Sequence, residues 1–165
     1  MKARHDFDPS APTARGAAPV AELGALPMIE RAAVLYLRAW CDGDIGRAAV
    51  KADFEHVMGK DRGRDAVSDF DDLMRLVVGQ CRRPLMHHRQ GCRCVGADES
   101  AFAHMIGAAA AQDRDDALLF ASTLLTGHAA WSAICLAESL AQTFLCLSRS
   151  GPAPTHRPRP TDYTH

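Results

Sequence analysis

Aromatic residues are scarce in this chain, at 6% of its 165 residues, and neither an internal repeat nor a convincing β-strand pattern is present. An excess of either sign of charge is also missing: Lys and Arg total 19 against 20 for Asp and Glu, which leaves a net charge of −1. A chain with this balance has no overall attraction to nucleic acid or to an anionic membrane. Its length is sufficient for one domain with a buried core.

The N-terminus lacks the apolar stretch of a secretory signal, since charged residues and prolines interrupt its first twelve positions. The most apolar stretch, residues 129–147, contains Glu138 and Gln142, and we therefore expect no membrane span. Without a route to an oxidising compartment, the six cysteines are expected to be free or metal-bound. The sequence thus predicts a cytoplasmic protein.

Apolar residues recur at helical spacing through most of the chain, and glycines or aspartates separate the periodic segments. The pattern predicts an all-α bundle of five to six short helices with one long Cys/His-rich loop and disordered termini. The expected organisation is a disordered arm (1–25), a helical domain (26–148) containing the loop (80–97), and a disordered Pro-rich tail (149–165). The six predicted helices cover residues 27–41, 45–58, 65–78, 99–111, 114–126 and 129–148.

The long loop concentrates residues that bind metals. Soft thiolates and neutral imidazoles are the ligands of zinc and, for thiolates, of iron–sulfur clusters. We predict a metal site, zinc first and an iron–sulfur cluster as the alternative, although the spacing matches no common zinc pattern. The predicted ligands are Cys81, His87, Cys92 and Cys94, with His88 and His104 as alternates.

The same loop is basic, with no acidic residue between Cys81 and Val95. Its arginines either offset the charge of a thiolate site, or contact phosphate or another anion, or are simply solvated. The candidates for phosphate contact are Arg82, Arg83, Arg89 and Arg93.

Where the loop ends, Asp98 is predicted to cap the next helix, and Glu99 suits the positive end of that helix.

Three functions follow from these residues. The first is a non-enzymatic binding or regulatory protein whose loop is organised by a structural zinc ion, because ligation energy can order a segment that packing cannot. The second is an iron–sulfur or thiol-redox protein that uses Cys92 and Cys94. The third is nucleic-acid binding through the loop arginines. No nucleophile motif with a placed base is present, which favours a non-enzymatic role, with another protein or a second copy of the chain as partner.

Overall fold

The computed structural model describes residues 18–150, and six α-helices account for most of them. The predicted all-α bundle is confirmed, with one small two-stranded sheet added to it. The helices are α1 (Met28–Cys41), α2 (Gly43–Met58), α3 (Lys60–Gln80), α4 (Ala97–Ala110), α5 (Arg114–Leu124) and α6 (Gly127–Arg149). The strands are β1 (Pro19–Glu22) and β2 (Cys94–Gly96).

Helix α6 is the centre of the bundle, because it packs against each of the other five helices. By length and composition alone it is apolar enough to cross a membrane, and it is the one described helix that is. Half of its most apolar 18-residue window is buried inside the fold, and the core helix of a soluble protein has the same properties. This helix is therefore weak evidence for a span.

Four aromatic rings from four helices form the middle of the core. Phe144 of α6 lies with its ring centroid 5.9 Å from that of Phe70 and 6.4 Å from that of Phe54. Tyr36 completes the cluster at 5.2 Å from Phe54, and its hydroxyl donates to Asp53 at 2.9 Å. The few aromatic residues are thus concentrated where they join α1, α2, α3 and α6.

The connection between α2 and α3 is shorter than the sequence predicts. The predicted helices 45–58 and 65–78 leave residues 59–64 as a link, but the whole turn is made at Gly59, whose φ of 82° is a left-handed conformation. Helix α3 begins at the next residue. Gly63 lets the two helices touch, since a Cβ there would lie 2.4 Å from the Cα of Glu55.

Part of the predicted disordered N-terminal arm (1–25) has regular secondary structure. Residues 19–22 form strand β1, which pairs antiparallel with β2, and residues 23–25 form one turn of 3₁₀ helix. The strand was missed because it has four residues and only one of them is even half-buried, which leaves no alternating pattern to detect. The rest of the arm (1–17) and the tail from residue 151 lie outside the described residues.

Candidate functional site

An ion pair between Arg38 of α1 and Glu99 of α4 lies at the base of the segment that joins α3 to α4. We call this segment, residues 81–96, the cysteine loop. The Arg38 Nε and Nη2 donate to the two oxygens of Glu99 at 2.7 and 3.0 Å, and both side chains are buried. A two-bond guanidinium–carboxylate contact fixes the orientation of both groups. The pair therefore joins the first and fourth helices beneath the loop.

Arg38 also holds the backbone of the cysteine loop. Its terminal nitrogens donate to the carbonyl oxygens of Cys92 at 2.7 Å, Cys94 at 2.6 Å and Arg89 at 3.3 Å. Buried carbonyls need such donors, and here one side chain supplies all three. The position of the loop thus depends on a residue about fifty positions earlier in the chain.

Glu99 also holds the loop, by accepting hydrogen bonds where Arg38 donates them. Its oxygens accept from the backbone N–H groups of His88 and Gly96, each at 2.8 Å, and the His88 Nδ1 lies 2.9 Å from Oε2. Burial by itself would raise the pKa of Glu99, but the hydrogen bonds from Arg38, Gly96 and His88 outweigh it and lower the pKa from 4.5 to about 2. Glu99 is therefore a carboxylate at any physiological pH.

Asp98 supplies a further attachment. It accepts two hydrogen bonds from Arg83, both at 2.6 Å, and one from the backbone N–H of Met86 at 3.0 Å. The expected helix cap is wrong, because α4 starts at Ala97, two residues before the predicted start at Glu99, and the Asp98 side chain bonds to the loop. The hydrogen bonds to Asp98 raise the pKa of Arg83, and the Asp98 carboxylate balances the positive charge of Arg83.

The loop presents two thiols side by side. Arg38 binds the carbonyl oxygens of both Cys92 and Cys94, so these two carbonyls turn to the same side, as carbonyls two residues apart do in an extended chain, where the two side chains also share a face. Both cysteines are half-buried and neither is in a disulfide. The neighbouring Cys92 thiol raises the pKa of the Cys94 thiol, as expected for two thiols that lie close together.

The other predicted ligands lie elsewhere. The backbone of Cys81 pairs with that of Leu125 in an isolated β-bridge, and the charged groups that act on the pKa of its thiol are Asp98 and Arg83. The groups that act on the pKa of Cys94 are different ones: Cys92, Glu22 and Arg38. His87 is exposed. Across residues 18–150 no three His, Cys, Asp or Glu side chains converge as a metal site would require. The structure brings together Cys92 and Cys94 but not the full predicted set, and the metal stays a prediction.

His104, the second alternate ligand, is turned away from the thiol pair. Its Nδ1 lies 3.0 Å from Glu30 of α1, and its ring stacks on that of Phe120 with centroids 4.9 Å apart. This environment accounts for the histidine without a metal.

The four candidate arginines are not a single patch of free charge. Arg83 is committed to Asp98, while Arg82 donates its Nε to the carbonyl of Leu125 at 3.1 Å. Arg89 and Arg93 are exposed, as is Arg82. Contact with nucleic acid or phosphate through these residues stays a prediction.

The low pKa of Glu99 predicts an acid-dependent loosening of the loop. Because the folded-state pKa is below the usual value, its stabilisation is complete above pH 4.5 and is lost as pH falls toward 2. Amide hydrogen exchange at His88 and Gly96, measured from pH 5 to pH 2, should accelerate beyond its intrinsic pH dependence. The Glu99→Gln variant should exchange fast at every pH, and identical profiles for the two proteins would contradict the assignment.

Sequence reasoning missed the residue on which this site depends. Arg38 is the one charged residue in the apolar run from Val34 to Trp40, and an arginine within a buried helical stripe requires a partner. That signal was available, although it does not identify the partner.

No protein-family model matches the chain, and comparisons with curated proteins and with solved structures gave no match. The function must therefore be argued from the geometry of the site.

Proposed function

We propose that this protein is a non-enzymatic, cytoplasmic binding or regulatory protein in which Cys92 and Cys94 bind one zinc ion. The observation that carries the proposal is the placement of both thiols on one face of a loop that Arg38 holds by its carbonyls. Thiolates are preferred zinc ligands, and a bound cation would deprotonate both thiols, including that of Cys94, whose pKa the protein alone raises. The absence of disulfides among the six cysteines agrees with a reducing compartment.

His88, Cys92 and Cys94 do not converge without metal, and His88 is the imidazole that we expect to join the two thiols when the ion binds. Metal-binding histidines usually direct one ring nitrogen to a carboxylate, and the His88 Nδ1 lies 2.9 Å from Glu99, which leaves Nε2 for the ion. We therefore favour His88 over the sequence choice of His87, whose ring contacts only a backbone carbonyl, at 3.2 Å. The remaining position would be filled by water, by another protein or by a second copy of the chain.

Zinc titration of the reduced protein tests this proposal. We expect one zinc ion per chain, or one per two chains where a second copy fills the remaining position. We expect Cys92→Ser and Cys94→Ser each to weaken binding by about 100-fold or more, above the 10–100-fold typical of groups that only orient ligands. Cys135→Ser on the exposed face of α6 is the matched control and should bind as the wild type does. Wild-type affinity in either loop variant would contradict the proposal.

The adjacent histidines offer a second matched pair for the same titration. His88→Gln should weaken zinc binding by about 10-fold or more, while His87→Gln and Cys81→Ser should leave it unchanged. The reverse result would restore the ligand set derived from the sequence.

Thiol redox is the second candidate, and the proximity of the Cys92 and Cys94 thiols favours it. The pair would lose two electrons and two protons to a small disulfide such as oxidised glutathione, which is reduced to two thiols. A Cys-x-Cys disulfide closes a small strained ring, and the raised pKa slows attack by the thiol. Conversion by oxidised glutathione to a form about 2 Da lighter, with no zinc bound by the reduced protein, would select this candidate. A brown protein containing iron and sulfide would select an iron–sulfur cluster.

A further inference from the structure

A second candidate site, separate from the thiol pair, is an open groove of about 650 Å³. It lies between the end of α1, the start of α2, the end of α3 and the first residues of the cysteine loop. None of Cys92, Cys94 and His88 lines it. Its volume falls within the roughly 300–1,000 Å³ range of small-molecule sites.

The charge of this groove is one-sided. Its lining includes four basic side chains and no acidic one: Arg47, Arg82, Arg83 and His87. The charge of Arg83 is balanced by Asp98, which accepts hydrogen bonds from both of its terminal nitrogens, so Arg47 and Arg82 supply the permanent positive charge of the groove. The nearest acid to Arg47 is the fully exposed Asp44, at 4.0 Å, a contact that solvent screens strongly.

Both arginines are oriented before any ligand arrives. Each donates its Nε hydrogen to a backbone carbonyl, Arg47 to Trp40 at 3.4 Å and Arg82 to Leu125 at 3.1 Å. Arg47 also lies with its guanidinium carbon 4.2 Å from the centre of the Trp40 ring. Their terminal nitrogens make no hydrogen bond to the rest of residues 18–150, and a guanidinium fork with free donors matches a carboxylate or phosphate.

The rest of the groove lining is largely apolar. Trp40 is fixed there by a hydrogen bond from its ring nitrogen to Asp71 at 2.7 Å, and Leu85 and the half-exposed Val78 are nearby. Cys41 and Cys81 add two thiols, and burial raises the pKa of each to about 11. They are uncharged near neutral pH and contribute to the wall as small apolar groups.

We propose that this groove binds a small organic anion in which one carboxylate or phosphate group is attached to an apolar body. The anionic group would lie between Arg47 and Arg82, and the body would lie along Trp40 and Leu85. This site does not depend on the metal proposed above, since the two share no residue.

Four probes with the same eight-carbon chain test the proposal: octanoate, octyl phosphate, octanol and octyltrimethylammonium. The chain contains two tryptophans, so the Trp131→Phe variant makes Trp40 the only tryptophan whose emission is followed. We expect both anions to bind by calorimetry and to change Trp40 emission, and the stronger of the two identifies the anionic group. No binding of either anion, or equal binding of octanol, would overturn the proposal.

Substitutions then locate the site. Arg47→Gln and Arg82→Gln should each weaken binding of the better anion by about tenfold, the usual loss for a hydrogen bond to a charged group. Arg64→Gln, an exposed arginine of α3 outside the groove, and Cys92→Ser should leave the affinity unchanged. Wild-type affinity in the Arg47→Gln/Arg82→Gln double variant would also overturn it.

Discussion

Arg38→Met is expected to lower the free energy of unfolding by about 3–5 kcal/mol, as the loss of one member of a buried ion pair does. The substitution leaves Glu99 charged and buried without its guanidinium, and it removes the donors of three loop carbonyls. Denaturant unfolding measures the change. Arg75→Met, at an exposed position of α3, is the control and should alter stability by no more than about 0.5 kcal/mol.

A double variant separates the charge from the loop. Arg38→Met combined with Glu99→Leu should regain part of the lost stability, because an apolar pair has no uncompensated buried charge. It should not restore the loop, whose carbonyls and N–H groups still lack their partners. An Arg38→Met protein as stable as the control would show that the buried pair does not support the fold.

Phe144→Ala should destabilise the bundle by about 3–5 kcal/mol. The Phe144 ring is fully buried and contacts the rings of Tyr36, Phe54 and Phe70, so its removal opens a cavity where four helices meet. Trp131→Ala removes a ring of the same helix that is half exposed, and its cost should be much smaller. Equal losses in the two variants would mean that the aromatic cluster is not the centre of the core.

The helices were predictable because each carries its own periodic pattern and its own end signals. Asp113 directly precedes the predicted fifth helix (114–126), where an aspartate is a favoured cap, and its side chain does accept from the N–H of Asp116 at 3.1 Å. The start of α3 was placed five residues too late because a polar segment rich in glycine resembles a link, although its glycines form a tight turn and a close helix contact. Local signals thus determine the elements well and their ends less well.

The support of the candidate site could not be predicted in the same way. Arg38 and Glu99 are 61 residues apart, and acids at a helix start are expected whether or not they bind anything. The sequence suggested that a metal organises the loop, since no apolar pattern does. The structure shows in that role hydrogen bonds that Arg38 donates and that Asp98 and Glu99 accept. The metal is therefore no longer the proposed cause of the loop's order; it is proposed to bind to a loop that is already ordered.

Hydrogen exchange of the metal-free protein tests this central claim most directly. The amides of His88 and Gly96 donate to Glu99, each at 2.8 Å, and the amide of Met86 donates to Asp98 at 3.0 Å. With chelator present, we expect the His88 and Gly96 amides to stay protected in the wild type and to exchange rapidly in Glu99→Gln. Exchange at unfolded rates in the metal-free wild type, with protection regained only when zinc is added, would contradict the account.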